Sequence, residues 1–448
     1  MFACTGNSIP VPVQLARRFC APQAETRRSP RRANVERFTS AQSTNSIHKA
    51  NDSSALALYP FVAAAVVLAV AMGVGRFAYT PLLVVMRGDA GLTVGFAGIL
   101  ASANLAGYLA GALLAMHPLA RANRTALVRV GAILVVLTTA MMALPPAAWF
   151  ATRCATGVAS GLVFVLTASL LLDLVADIDS RHGLAIMFSG VGIGIATAGL
   201  LVIPFASLGG SRAAWLGLAA VSAVALAFAL PFLPATCKAS EANYETQIDG
   251  NAAIFGWLAV LYGVEGAAYI VPATFLVAMV SETPSIARYG AATWVLVGVV
   301  TAPSTIWWSA AARRWGLPRA LLAACVAQAL AMLAPFVLQG AGGAVALAVG
   351  LGATFIGISS LGTALGRALR PANGNATIGL LTVLYGVGQI IGPLVATRVA
   401  LATGSYRFAL FIVASGLGLA AAAFALRLVK ESLNSRRARD GGNSISRL

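Results

Sequence analysis

Charge is scarce in this chain: only 10% of its 448 residues are Asp, Glu, Lys or Arg, where a soluble domain carries about 25%. That shortage excludes an ordinary water-facing surface. Histidine is limited to His48, His117 and His182 with no HExxH pairing, which argues against a histidine-built metal centre. The cysteines, Cys4, Cys20, Cys154, Cys237 and Cys325, lie far apart without a CxxC, and read as inert thiols. Lysine occurs only at Lys49, Lys238 and Lys430, none of which completes a G-x-x-x-x-G-K-[ST] loop, so ATP cannot be used through that motif. No serine elbow of the G-x-S-x-G type stands out. The expectation is a chain with no cofactor and no metal.

What the sequence has in abundance is apolar length. Hydrophobic residues make up 59% of it and the mean hydropathy is +0.83. These residues come in long runs, and roughly 20 apolar residues in helix cross a bilayer at about 1.5 Å per residue. Spans are predicted at 57–86, 92–116, 126–144, 147–172, 183–206, 213–234, 252–280, 289–311, 318–338, 342–366, 376–400 and 406–429. The fold class expected is an all-α membrane protein, with twelve transmembrane helices in two pseudo-symmetric six-helix bundles. Residues 1–54, rich in Arg and Ser and led by Arg17, Arg18, Arg27 and Arg28, read as a disordered basic tail. They share that composition with transit peptides but lack the apolar core of a secretory signal. The bundles occupy 55–234 and 252–429, joined by a polar linker at 235–251 and followed by a basic tail at 430–448.

The net charge of +17 can signal nucleic acid, but the basic residues sit in tails and short loops, which fits the positive-inside rule and no nucleic-acid partner. With both ends placed inside, the inner loops hold Arg121, Arg124, Arg129, Arg181, Lys238, Arg313, Arg314, Arg319, Arg367 and Arg370, and the outer loops hold Arg87, Arg212, Arg288, Arg398 and Arg407. That bias of ten against five predicts an even number of spans with both termini cytoplasmic in a bacterial inner membrane. An internal repeat divides the chain the same way. Gly73, Val74, Ala78 and Tyr79 recur as Gly263, Val264, Ala268 and Tyr269 at a constant offset of 190, and SGVGIG from Ser189 recurs in YGVGQIIGP from Tyr385. Two such pairs in the same order point to parallel six-helix repeats.

The chain resembles the major facilitator superfamily. GRFAYTPLLVVM (Gly75 to Met86) followed by ASANLAGYLAG (Ala101 to Gly111) is similar to its YbfB/YjiJ-like branch, and the likeness covers most of the membrane region. Between spans two and three the family carries an acid before paired basic residues; AMHPLARANRTALVR keeps Arg121 and Arg124 but has no acid, so that latch is not expected. Span four resembles the family in Arg153, Gly157 and Gly161, and the Gly-Pro pair usual in span five stands in span eleven as Gly392-Pro393. The resemblance implies alternating access around a cavity on the pseudo-two-fold axis.

Two charges lie deep in spans, Arg76 and Glu265. A charge in hydrocarbon costs at least ~2.5–3.5 kcal/mol and so faces a cavity or a partner; a helix-end Arg76 snorkelling outward is the plainer alternative. Repeat symmetry places the two across the central cavity as an ion pair broken by substrate or proton, with Glu265 the candidate for coupling; a static pair locking two helices is the alternative. Tyr79 and Tyr269 lie one helical turn from these charges and are candidates for hydrogen bonds to substrate. Asn104, Gln389 and Arg153 are polar groups suited to substrate contact or helix–helix bonding. The Gly107/Gly111, Gly157/Gly161 and Gly190/Gly194 pairs report close helix packing. Asp173, Asp177 and Asp179 at the end of span four, with Arg367 and Arg370 at the end of span ten, suggest a charged gate. The function expected is secondary active transport of a small anionic or zwitterionic solute across a lipid bilayer, coupled to protons. An integral-membrane enzyme needs a denser cluster of reactive groups than Arg76 and Glu265 supply, and a non-transporting sensor on the same scaffold is the other alternative.

Overall fold

The computed structural model describes residues 58–178, 181–234, 252–370 and 374–445. The expected basic tail at 1–54, the linker at 235–251 and Asp179 lie outside the described residues. The spanning helices are α1 (Leu58–Asp89), α2 (Val94–Ala115), α3 (Arg124–Met141), α4 (Trp149–Ile178), α5 and α6 within Arg181–Ala229, α7 (Ala252–Ser281), α8 (Gly290–Trp315), α9 (Leu317–Val337), α10 (Ala341–Leu369), α11 (Gly374–Thr403) and α12 (Tyr406–Ile445). No strand occurs among the described residues, as expected where every backbone polar group must be satisfied without water.

Helices α5 and α6 follow each other without a helical gap, but Gly209 and Gly210 break the run with φ 175°, ψ 38° and φ 68°, ψ −156°. The positive φ at Gly210 is a conformation that glycine adopts freely. The Asp89 carboxylate at the end of α1 then accepts from the Ser211 backbone N–H at 2.5 Å and from its hydroxyl at 3.1 Å, which caps the first turn of α6. The break turns one long apolar stretch into two spans and restores the count of twelve. The last helix runs on to Ile445, past the expected end at 429, with an Arg427–Glu431 pair at 3.3 Å one turn apart.

The bundles are held by backbone-close crossings at small residues. On α2 and α4 the glycines answer one another: a Cβ on Gly107 would strike the Cys154 carbonyl and one on Gly111 the Val158 carbonyl, while Cβ atoms on Gly157 and Gly161 would strike the Asn104 and Tyr108 carbonyls. The two internal repeats share a second crossing. Gly190 and Gly194 of α5 lie against Ala65 and Ala69 of α1, and Gly388 of α11 lies against Gly263 of α7, whose Gly266 meets Tyr385. The repeated sequence motifs therefore mark the same contact in each half.

Within α1 the segment Ala69–Phe77 is π-helical, a feature invisible to hydropathy. A π-turn places an extra residue in the helix and occurs most often at functional sites. It includes Gly73, which has no room for a Cβ against Gly194, and it carries Arg76 in its last turn.

Candidate functional site

The two bundles meet along α1, α2 and α5 on one side and α7, α8 and α11 on the other. The end of the molecule where α1 begins and α12 finishes is termed the terminal face. At the opposite face Arg87, at the end of α1, pairs with Glu282, just past α7, at 2.5 Å. Deeper in, the Thr80 hydroxyl donates to the Ala273 carbonyl at 2.5 Å and the Ser102 hydroxyl to the Ile390 carbonyl at 2.8 Å. These bonds close the bundles against each other between the opposite face and the centre.

Arg76 stands where that closure ends. It is 6% exposed, which excludes the snorkelling alternative. Its Nη2 donates to the Tyr269 hydroxyl of α7 at 2.6 Å and to Gln389 Oε1 of α11, so one side chain of the first bundle binds two helices of the second. Its guanidinium carbon lies 4.5 Å from the centre of the Tyr108 ring and 5.1 Å from that of Phe77, within cation–π range. Its Nε has no hydrogen-bond partner. Arg153 is nearby and equally enclosed, with Nη1 donating to the Gly75 carbonyl at 3.2 Å and the guanidinium 4.5 Å above the Tyr79 ring. Its Nε also lacks a partner, as does Asn104 Oδ1. Arg76, Tyr79, Asn104 and Arg153 line one small cavity with Thr80 and Thr274. Among the described residues neither arginine is within ion-pair distance of a carboxylate.

The expected Arg76–Glu265 pair is not formed. Glu265 is fully buried, and both its carboxylate oxygens accept from Gln328 Nε2 of α9 at 2.8 Å. Gln328 Oε1 in turn accepts from the Thr354 hydroxyl of α10 at 2.8 Å. The π-turn shifts the angular register of α1 at Arg76, and on α7 it is Tyr269, one turn beyond Glu265, whose hydroxyl meets the arginine. The repeat tyrosines differ likewise. Tyr269 faces the bundle interface, whereas Tyr79 donates to the Ala97 carbonyl at 3.0 Å within its own bundle. Asn104 Nδ2 donates to the Arg153 carbonyl at 3.1 Å, an internal bond that leaves its own oxygen without a partner.

Among the proposed gate residues, Asp173 and Asp177 belong to the last turns of α4, but their side chains lie outside the described residues. Arg370 follows α10 with its guanidinium 4.4 Å above the Phe255 ring of α7, and Arg367 sits in the last turn of α10. Sequence reasoning missed Gln328, Thr354 and Tyr108. Gln328 and Thr354 stand alone in apolar helices, and Tyr108 resembles an ordinary packing aromatic; the isolated Gln in α9 was the one signal that could have been followed.

A comparison with curated proteins returns no significant match. Among solved structures the chain is similar to a point mutant of the nucleoside transporter NupG (TM-score 0.65, 16% identity, covering 82% of this chain and 99% of that one). It is also similar to a D-xylose-proton symporter (TM-score 0.62, 13% identity, covering 82% and 97%). At such identities the likeness speaks for the fold. The model of the family described as "Uncharacterised MFS-type transporter YbfB" matches residues 68–425, which reaches from within α1 to within α12 and includes the repeat, Arg76 and Arg153, and this chain belongs to that family of major facilitator transporters.

Proposed function

We propose that the protein is a proton-coupled secondary transporter of a small anionic or zwitterionic solute, working by alternating access in a bacterial inner membrane with both termini cytoplasmic. The observation that carries this reading is Arg76, a buried cation at the seam of the bundles that bonds α7 and α11 while facing no acid. A solute carboxylate could take those donors and the unpaired Nε, so substrate binding and bundle separation would involve the same bonds. The similarity to a proton symporter and the fully buried Glu265, which has an amide but no cation beside it, support proton coupling at that carboxylate. The basic loops at the terminal face support the orientation.

Arg87 and Glu282 form the gate at the outer face in this reading, and Asp173, Asp177, Arg367 and Arg370 form its counterpart at the cytoplasmic face. Two measurements test it. Proteoliposomes loaded with a defined mixture of organic acids, amino acids and sugars are expected to lose at least one solute when a pH gradient is imposed, as read by mass spectrometry. Release indistinguishable from protein-free liposomes refutes transport. In a background free of native cysteine, joining Arg87→Cys to Glu282→Cys with a short bifunctional maleimide should stop exchange while leaving ligand binding from the cytoplasmic face intact. Undiminished exchange after complete cross-linking refutes the outer gate.

A further inference from the structure

Half-buried aromatic rings approach Arg76 from the first bundle. Tyr108 of α2 lies beneath its guanidinium, Phe164 of α4 is 6.2 Å from Tyr108 between ring centres, and Phe188 of α5 is 6.0 Å from Phe164. All three keep part of their surface exposed, on the terminal-face side of the closed bonds. In the second bundle the phenol that Arg76 engages belongs to a stacked column. Tyr269 is 5.5 Å from Phe355 at 5° between planes, and 5.4 Å from Tyr385 at 12°. Tyr385 is itself stacked on Tyr262 at 4.6 Å.

Among the described residues Arg76 is thus the one charged group touching both aromatic arrays. Its guanidinium plane already rests on one ring and hydrogen-bonds the edge of another, and its Nε is free to donate. Arg153 adds a second positive charge on the adjoining cavity without an acid to balance it. A polyol would be better served by several paired acceptors, whereas only Gln389 and Asn104 offer amides here. Net positive charge beside stacked rings suits a ligand that is negative at one end and flat at the other.

Resting on the transport reading above, we propose that the solute is an aromatic monocarboxylate, held by its carboxylate on Arg76 and by its ring face on Tyr108 and Phe164. The carboxylate displaces Tyr269 and Gln389 as acceptors for Arg76, while the ring continues the aromatic surface of the first bundle.

The test is calorimetric binding to the purified full chain, using benzoate, phenylacetate and indole-3-acetate against cyclohexanecarboxylate, which has the same charge and similar bulk without a π-face. At least one aromatic acid is expected to bind tenfold or more tightly than the saturated acid. Tyr108→Phe should keep that preference, Tyr108→Leu should erase it, and Arg76→Gln should abolish saturable binding of all four. Size-exclusion and far-UV circular dichroism establish that each variant is folded. Equal affinities in the wild type, a preference that survives Tyr108→Leu, or no saturable binding of any aromatic acid overturns the proposal. If the loaded proteoliposomes nevertheless release a non-aromatic solute under a pH gradient, the aromatic assignment fails while the transport reading stands.

Discussion

Arg76→Met is expected to give a protein that melts at higher temperature than the wild type and exchanges no solute above background. The guanidinium is almost fully enclosed, its Nε is unpaired and no carboxylate balances its charge. A cation at mid-membrane costs at least ~2.5–3.5 kcal/mol, and the hydroxyl of Tyr269 and amide of Gln389 recover only part of it, at about 1.5–3 kcal/mol for a hydrogen bond to a charged group. Methionine has similar length, fills the same space and carries no charge; replacing buried ionic groups by apolar ones of like volume is often neutral or stabilising by about 1–4 kcal/mol. Such a trade of stability for activity is typical of a group retained for its chemistry. Thermal unfolding in detergent and solute exchange in proteoliposomes should move in opposite directions. A lower melting temperature would make Arg76 a structural cross-brace, and undiminished exchange would remove it from the substrate path.

Glu265→Gln is expected to separate exchange from accumulation. Gln328 presents its Nε2 to both carboxylate oxygens, and its own Oε1 is committed to Thr354. An amide at 265 keeps one acceptor for that donor and preserves the volume, so the bundle should still fold. It cannot gain or lose a proton. Equal-concentration exchange across the membrane should therefore persist within about threefold, while uphill uptake driven by a pH gradient should fall to the equilibrium level. Full gradient-driven accumulation in the variant would exclude Glu265 as the coupling group. Loss of both activities would mean that the carboxylate orients the cavity through Gln328.

Much of the architecture was legible because bilayer thickness imposes one length scale on every helix. The predicted ends of α2 and α7 fall within two residues of the observed ones. The repeat was legible too, since Gly73 lies backbone to backbone on Gly194 of α5 and Gly388 of α11 on the Gly263 carbonyl of α7. The arginines were found by the rarity of charge in hydrocarbon. What could not be read was direction around a helix axis. The π-turn at Ala69–Phe77 changes the angular register of α1 without any change in hydropathy, and a symmetry argument that assumes regular helices then aims Arg76 at the wrong partner. The same limitation hid Gln328, which points at the Glu265 carboxylate, and Thr354, which holds Gln328.

Where α5 crosses α8 at Gly192 and Gly298, backbone lies directly on backbone. A Cβ on Gly192 would collide with the Ala302 nitrogen and the Gly298 carbonyl, and one on Gly298 with the Ala196 nitrogen and the Gly192 carbonyl. Two rigid bodies that tilt against each other need a fulcrum, a line where they stay in touch while the surfaces to either side part and rejoin. Interlocked side chains resist tilting because each must change rotamer before its neighbour can pass. Bare peptide planes present no such teeth, so in the alternating-access reading proposed above this point of the crossing serves as a smooth bearing, with little friction to overcome when one vestibule shuts and the other opens.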